Sequence, residues 1–189
     1  AAGYTIPFVW DGRPRSLPSG VDGVLIRGVA DHAKGRRPDT VSALLAAVDP
    51  AMQGQGLSRC VIEAMAALAA RHGLRALVAP VRPTLRHRYP LIPMERYIRW
   101  RQTGAAPFDP WLRVHWRMGG RVLAVAARSM VVDGRVRDWE RWTGLRFPDS
   151  GDYVVPGALT TVRIDRRRDR GRYVEPNVWM LHRVPRPAS

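Results

Sequence analysis

One stretch of this chain decides how its middle part folds: Val48-Asp49-Pro50-Ala51-Met52-Gln53-Gly54-Gln55-Gly56-Leu57-Ser58. An apolar run, 41–48, precedes it and an alanine-rich amphipathic run, 57–72, follows it, which predicts a strand, a glycine turn and a helix. The first amides of a helix have no partner inside the helix, and with the helix dipole they attract an anion such as phosphate. Glycine at 54 and 56 tolerates positive φ and lets a ligand approach the backbone.

The spacing of these glycines distinguishes between several known kinds of phosphate-binding loop. A Walker loop would need a lysine that is missing here, and the dinucleotide fingerprint needs a different glycine spacing. An ordinary strand-to-helix turn, in which glycines are common, stays open as the simplest interpretation. The pattern that fits is Gln/Arg-x-x-Gly-x-Gly/Ala, with Gln53, Gly56 and Ser58 at its three defined positions. It resembles the acyl-CoA pyrophosphate loop of the GCN5-related N-acetyltransferase (GNAT) superfamily, with serine in place of the last small residue.

The resemblance implies a fold and a ligand. The fold class is α/β (α+β), a mixed and partly parallel central sheet flanked by helices, in a single domain over 1–189. The family's first strand and two helices are missing ahead of the strand at 4–10, and residues 82–107 and 127–189 are additions. The family's pyrophosphate contacts would fall on the backbone of Gln53, Gly54, Gln55, Gly56, Leu57 and Ser58. A backbone N–H near Val48 would polarise the thioester carbonyl.

Two residues are candidates for acid–base chemistry. The segment 114–122 resembles the family's helix-then-glycine segment beside the coenzyme, and His115 stands where a tyrosine often protonates the leaving thiolate. Histidine can supply this proton because its pKa is normally near neutrality; a helix histidine that merely packs is the alternative. Glu95 is the first candidate for the base that takes the amine proton, and an ion pair with Arg96 or Arg99 is its alternative.

Hydrophobic periodicity and turn residues predict the remaining elements. A strand, a helix and a strand at 40–48, 57–72 and 74–81 predict parallel pairing with a right-handed crossover. Asp109 and Pro110 mark a helix start as N-cap and first residue. Further helices are predicted at 21–34 and 136–143, and strands at 4–10, 121–126 and 129–132. Segment 151–159 is predicted to be a loop, of which 151–157 is expected to fold back over the site. The strands at 160–164 and 176–184 are expected near an edge of the sheet.

Composition narrows the classes of protein. The 189 residues are 46% hydrophobic, and their net charge is +15. This hydrophobic share is normal for a globular chain and argues against disorder. No apolar run reaches the roughly 18 residues of a transmembrane helix, and no Cys/His spacing indicates a metal site. The single cysteine, Cys60, fits a reducing cytoplasm and is expected to be a small core residue.

The leading hypothesis is acyl transfer from acetyl-CoA or another acyl-CoA, as co-substrate, to an amine. A basic binding module is the alternative, in which Tyr89, Tyr97 and Trp100 stack on RNA bases or the arginine-rich insertion holds an acidic carrier protein. A GNAT-like protein with altered thioester chemistry, namely decarboxylation or S-acyl transfer, is a third possibility. The acceptor and the oligomeric state, including a homodimer, stay open; no membrane partner and no metal are expected.

Overall fold

The computed structural model describes residues 1–184, in which five α-helices and seven strands follow one another along the chain. Their order and bounds are β1 (Ala2–Phe8), α1 (Val21–Ala33), β2 (Thr40–Ala47), α2 (Leu57–Arg71), β3 (Ala76–Val81), α3 (Met94–Tyr97), α4 (Pro110–Arg117), β4 (Arg121–Gly134), α5 (Val136–Thr143), β5 (Gly151–Tyr153), β6 (Val162–Asp165) and β7 (Arg170–Arg183).

The strands form one mixed sheet, as the fold class predicted. β2 and β3 are parallel, and every other described pair is antiparallel. The strand order is β1-β2-β3-β7-β6-β5, and β4 pairs with the second edge of β7. On its first edge β7 meets β3 through residues 178–183 and β6 through residues 170–173.

The position of β7 corrects the prediction of an edge strand at 176–184. β7 is central, because it pairs along both edges, and its residues 175–180 are all buried. Its first three residues, 170–172, belong to the arginine-rich run 163–172, whose charge hides the start of the strand from a prediction based on hydrophobicity. Burial on both faces of a strand gives a continuous apolar run without alternation. The apolar run 178–181 of β7 is typical of a strand inside the sheet.

Three smaller corrections concern the bounds of other strands. The predicted strands at 121–126 and 129–132 are one strand, β4, whose pairing register shifts between Ala126 and Met130. A bulge of this kind leaves residues unpaired without ending the strand, so it looks like a break in the sequence. The predicted loop at 151–159 begins with the short strand β5. The first strand, β1, begins and ends two residues earlier than predicted.

The helices agree with the sequence signals. α1, α2, α4 and α5 all form within one residue of their predicted bounds. Asp109 caps α4 as predicted, since its Oδ1 accepts hydrogen bonds from the amides of Trp111 and Leu112 at 2.9 and 3.2 Å. Gly73 follows the end of α2 with φ = 66°, the left-handed conformation that glycine adopts at helix ends.

The helices cover both faces of the sheet. α1 packs through Val24 against Phe8, Val78 and Trp179 on one face. α2 packs on the opposite face, where Ile62, Met65 and Ala69 meet Val41 and Leu77. Each fully buried aliphatic or aromatic side chain of this kind contributes about 1.5–3 kcal/mol. A separate small core joins α5 to β5 and β6.

The insertion at 82–107 is ordered by its aromatic side chains. Tyr89, Tyr97, Trp100 and Phe108 pack on one another with ring centroids 4.9 to 6.1 Å apart. The hydroxyl of Tyr97, whose side chain is 1% exposed, donates a 2.7 Å hydrogen bond to Asp109 Oδ2. These rings stabilise the insertion from within. Tyr97 therefore lacks the exposed ring face that stacking on RNA bases requires.

Two further findings bear on the composition argument. Cys60 is exposed on α2, so the prediction of a core residue is wrong. It lies on the outer side of the helix, away from Ile62 and Met65. Among residues 1–184, no helix is both long and apolar enough to span a bilayer.

Candidate functional site

A V-shaped opening in the sheet forms between the two parallel strands. β2 and β3 pair only through residues 40–42 and 76–78, although the strands continue to Ala47 and Val81. Beyond that point β2 stays paired with β1, and β3 stays paired with β7. Each strand thus follows its outer neighbour, and the two arms diverge. The inner edge of β2 from 43 to 47 is left without a strand partner among the described residues.

The diverging arm of β2 leads directly into the glycine corner, residues 53–58. Gly54 and Gly56 have φ values of 81° and 77°, the left-handed region that glycine favours. The turn before the corner is held internally: Asp49 Oδ1 accepts from the amide of Ala51, and the amide of Gln53 donates to the carbonyl of Pro50. Within the part of the chain that the structure describes, the amides of residues 54–58 have no protein acceptor. They form a set of free donors at the N-terminus of α2.

The space between the diverging strands is a cleft of about 360 Å³. Because the cleft passes through the sheet, side chains from both of its faces line it. The wall on the α2 side includes Ile62 and Met65, and α4 contributes Trp111 and His115. The strand residues of the lining include Ala43, Leu44, Leu45 and Ala46 from β2, and Ala79, Pro80 and Val81 from β3. The walls are therefore mainly apolar.

Two histidines meet behind the α4 wall of the cleft. His115 Nδ1 lies 2.7 Å from His182 Nε2 on β7, and the side chains are 3% and 4% exposed. Burial lowers the pKa of His115 to about 3, and the neighbouring His182 lowers it in the same direction. Burial also lowers the pKa of His182. Both rings are neutral near pH 7, so the assumption that His115 titrates near neutrality is wrong.

Glu175 is the buried carboxylate of the cleft. It is 4% exposed and accepts hydrogen bonds from Arg82 Nε at 3.0 Å and from the Tyr173 hydroxyl at 2.9 Å, both on Oε2. Oε1 accepts only a long bond, 3.3 Å, from Asn177 Nδ2. Arg82 is partly exposed and neutralises the carboxylate from the rim. Oε1 is therefore the oxygen with capacity left for a ligand.

The structure separates the residues predicted for the site. His115 lines the cleft, whereas Gln53, Gly54, Gln55, Gly56, Leu57 and Ser58 form the corner at the start of α2, outside the cleft lining. Val48 lies between the end of β2 and the corner, outside the cleft lining. Glu95 is exposed on α3, where it lines a different surface pocket together with Arg86. The segment 151–157 packs against β6, and its contact with the cleft is the carbonyl of Gly157, which accepts from Arg82 Nη2 at 2.7 Å.

Sequence reasoning missed Glu175 and Trp111, which line the cleft, and His182, which lies behind it. Glu175 and His182 lie on β7. The start of this strand was not predicted because it contains arginines, and its central position in the sheet was not predicted either. Glu175 is a carboxylate between apolar and aromatic residues of a buried strand, and ionisable residues are rarely buried without a partner or a function. This signal could have identified Glu175 as a site residue, but only if β7 had first been predicted to be a buried strand that includes residue 175.

Comparisons with known proteins agree with this geometry. The chain is 34% identical over 189 aligned positions to the arginine N-acetyltransferase avaD of Aspergillus versicolor, an alignment that covers 89% of this chain. The chain spans about 65% of that relative's length. No protein-family model matches the chain.

Two solved structures share the fold. One is the loading GNATL domain of CurA from Lyngbya majuscula, with a TM-score of 0.58 and 17% identity over 96% of this chain and 69% of that chain. The other is the GNAT-like decarboxylase GphF in complex with isobutyryl-CoA, with a TM-score of 0.51 and 17% identity over 97% of this chain and 71% of that one. The chain thus shares the fold of these two GNAT-like structures, and in sequence it is similar over most of its length to an N-acetyltransferase.

Proposed function

We propose that this protein transfers an acyl group, most simply acetyl, from acyl-CoA to the amine of a small cationic acceptor of the arginine class. The observation that carries the proposal is the divergence of β2 and β3 beside the free amides of the glycine corner. This arrangement offers a slot for an extended thioester arm and a set of donors for a diphosphate at its mouth. The GNAT-like fold and the similarity to an arginine N-acetyltransferase support the same activity.

The corner is suited to the diphosphate of the coenzyme. Its amides are free, they stand at the positive end of the α2 dipole, and left-handed glycines let phosphate oxygens come close. The net charge of +15 favours the approach of a polyanionic co-substrate through long-range attraction. In this proposal the arm of the co-substrate lies between Ala43–Ala46 and Ala79–Val81, with apolar side chains on both sides.

The acceptor is proposed to bind at Glu175. A cationic amine needs a negative group in an otherwise basic protein, and Oε1 of Glu175 has accepting capacity left within the cleft. Once deprotonated, the amine nitrogen attacks the thioester carbonyl carbon, and the C–S bond breaks as the amide forms. Glu175 takes the proton that the nitrogen loses on amide formation. A backbone N–H near Val48 is proposed to stabilise the developing oxyanion.

Calorimetric titration with acetyl-CoA tests the first part of the proposal. Ser58→Asp places a negative charge in the first turn of α2, where it favours the helix but repels phosphate. We expect the wild type and Ser58→Ala to bind acetyl-CoA, and Ser58→Asp to fold normally and bind at least tenfold more weakly. Equal affinity of the Ala and Asp variants would remove the corner from the binding site.

A thiol-release assay tests the acceptor and separates the alternatives. We expect acetyl-CoA to release thiol with arginine as acceptor, faster than with neutral amino acids of similar size. Loss of CO2 from malonyl-CoA without an amine would favour decarboxylation, and thiol release with a carrier thiol would favour S-acyl transfer. Binding of RNA without any response to acetyl-CoA would favour the basic binding module.

A further inference from the structure

The two histidines are brought together by the fold alone. They are 67 residues apart in sequence, on α4 and on β7, and their ring nitrogens lie 2.7 Å apart in the buried interior. Two neutral imidazoles at this distance share one proton in the hydrogen bond. One of the pair donates and the other accepts, and either assignment satisfies the bond.

The two assignments place protons differently at the ends of the pair. If His182 Nε2–H donates, His115 accepts at Nδ1 and carries its own proton on Nε2. If His115 Nδ1–H donates, His115 Nε2 is an acceptor and His182 carries its proton on Nδ1. Moving from one state to the other takes a proton in at one end and releases one at the other, while both rings stay neutral. This avoids a buried imidazolium, which the low pKa of His115 shows to be unfavourable.

Both ends of the pair are placed for such transfer. His115 lines the cleft, and its Nε2 is buried with no hydrogen-bond partner among residues 1–184. An orphaned buried nitrogen of this kind needs an explanation, and a ligand in the cleft supplies one. His182 is 4% exposed, and its Nδ1 is the ring nitrogen that does not engage His115.

Gly120 leaves space for the His182 ring and the end of α4 because it has no side chain. A Cβ at this position would lie 2.7 Å from His182 Cε1 and 2.6 Å from the carbonyl oxygen of His115. Any side chain at 120 would therefore push the His182 ring or the end of α4 out of place. The amide of Gly120 also donates to the His115 carbonyl at 2.8 Å, which fixes the end of the helix.

We propose that His182 and His115 form a two-imidazole relay that carries a proton from solvent to the departing thiolate. The inference rests on the proposed acyl transfer. When the C–S bond breaks, His115 Nε2–H protonates the sulfur, His182 Nε2–H passes its proton to His115 Nδ1, and water protonates His182 Nδ1. The relay resets when His115 Nε2 takes a proton from the next acceptor's ammonium group, His115 Nδ1–H passes its proton back to His182 Nε2, and His182 Nδ1–H returns one to water.

The proton balance closes over one turnover. The acceptor ammonium loses one proton to the relay and a second, on amide formation, to Glu175, which returns it to water. One proton enters through His182 and stays on the coenzyme thiol. One proton is released overall, as formation of an amide from an ammonium ion and a thioester requires. His115 contacts the reacting sulfur in this scheme, and His182 acts through it as a positioning and relay residue.

Replacement of His182 tests the relay. His182→Gln keeps a hydrogen-bond donor for His115 Nδ1 but cannot pass a proton on, and His182→Ala leaves room for added imidazole. We expect both variants to bind acetyl-CoA with wild-type affinity by calorimetry and to lose about 10²-fold or more in kcat. Imidazole in the buffer should raise kcat of His182→Ala and leave His182→Gln unchanged. The exposed His32→Gln on α1 is the matched control and should equal wild type in every measurement.

The outcomes distinguish the relay from the function on which it rests. Wild-type kcat in His182→Gln, or a folded His182→Ala that binds acetyl-CoA and ignores imidazole, would overturn the relay and leave acyl transfer standing. A wild-type protein that does not bind acetyl-CoA would overturn the proposed function itself. Should His182→Ala unfold, the kcat of His182→Gln decides.

Discussion

The glycine corner and the buried side chains of the cleft present hydrogen-bonding groups in opposite ways. The corner offers backbone amides from consecutive residues, mostly exposed, in a local turn. The cleft offers His115 and Glu175, with His182 behind them, all at most 4% exposed and from distant parts of the chain. A ligand proposed to bind at the corner would replace water there without rearranging a core. The cleft groups were desolvated during folding, and that burial lowers the pKa of both histidines.

This difference predicts how each region responds to change. Side-chain substitutions at the corner should alter ligand affinity with little effect on folding. Substitutions in the cleft should alter turnover, pH dependence and stability, because each buried polar group there depends on a specific partner.

The largest effect is expected for Glu175→Gln. The amide is nearly isosteric and can still accept from Tyr173, but it cannot take up a proton. We expect kcat for acyl transfer to fall by about 10²–10⁴-fold with unchanged affinity for acetyl-CoA. Asp152→Asn, which breaks an exposed ion pair with Arg163 on β6, is the control and should leave kcat unchanged. A Glu175→Gln enzyme with normal kcat would show that this carboxylate is structural.

A smaller effect on stability is expected for Gly120→Ala. The added Cβ would overlap with His115 and His182 in a packed region, which should lower the free energy of unfolding by about 1–3 kcal/mol. Gly119→Ala is the neighbouring control: its φ is 77° and nothing lies within 4 Å of a Cβ there, so it introduces backbone strain without crowding the histidines. Urea unfolding of both variants would measure the difference. A drop in kcat should accompany Gly120→Ala alone.

The buried histidines should also give stability a distinctive pH dependence. The pKa of His115 is about 3 in the folded chain, below the ordinary value near 6.5 that applies when it is unfolded. The unfolded chain therefore binds more protons, and the stabilising contribution is complete above about pH 6.5 and lost as pH falls toward 3. At pH 5.5 the loss from His115 is roughly 1.4 kcal/mol, and His182 acts in the same direction.

Urea unfolding at pH 7.5 and 5.5 would measure this loss. His115→Leu should show a smaller difference between the two pH values than wild type, whatever its absolute stability. The exposed His32→Gln should retain the wild-type difference. Identical differences in all three proteins would show that the buried pair does not set this pH dependence.

The smallest effect is expected for Glu95→Gln, which lies outside both regions. The side chain is exposed and lines a separate pocket, so we expect kcat within error of wild type and a stability change below about 0.5 kcal/mol. Steady-state acyl transfer and thermal unfolding would check both. A large loss of kcat would support Glu95 as the catalytic base. It would also imply that the acceptor reaches the α3 surface.

The sequence by itself determined the features that depend on neighbouring residues. The corner at 53–58, the Asp109 cap and the bounds of α1, α2, α4 and α5 follow from turn residues, caps and periodicity, which act over a few positions. The parallel pairing of β2 and β3 follows from the short strand-helix-strand connection. These are local rules, and a single sequence contains them in full.

Only the tertiary structure decided which side chains meet in the cleft. The central place of β7, the contact of His115 with His182 and the accepting position of Glu175 depend on pairings between residues far apart in the chain. The pKa of His115 depends on them too, because desolvation is a property of the packed surroundings and not of the residue type. Local pattern therefore predicted the glycine corner proposed to bind a diphosphate, and long-range packing determined which groups are available for the proposed proton transfer.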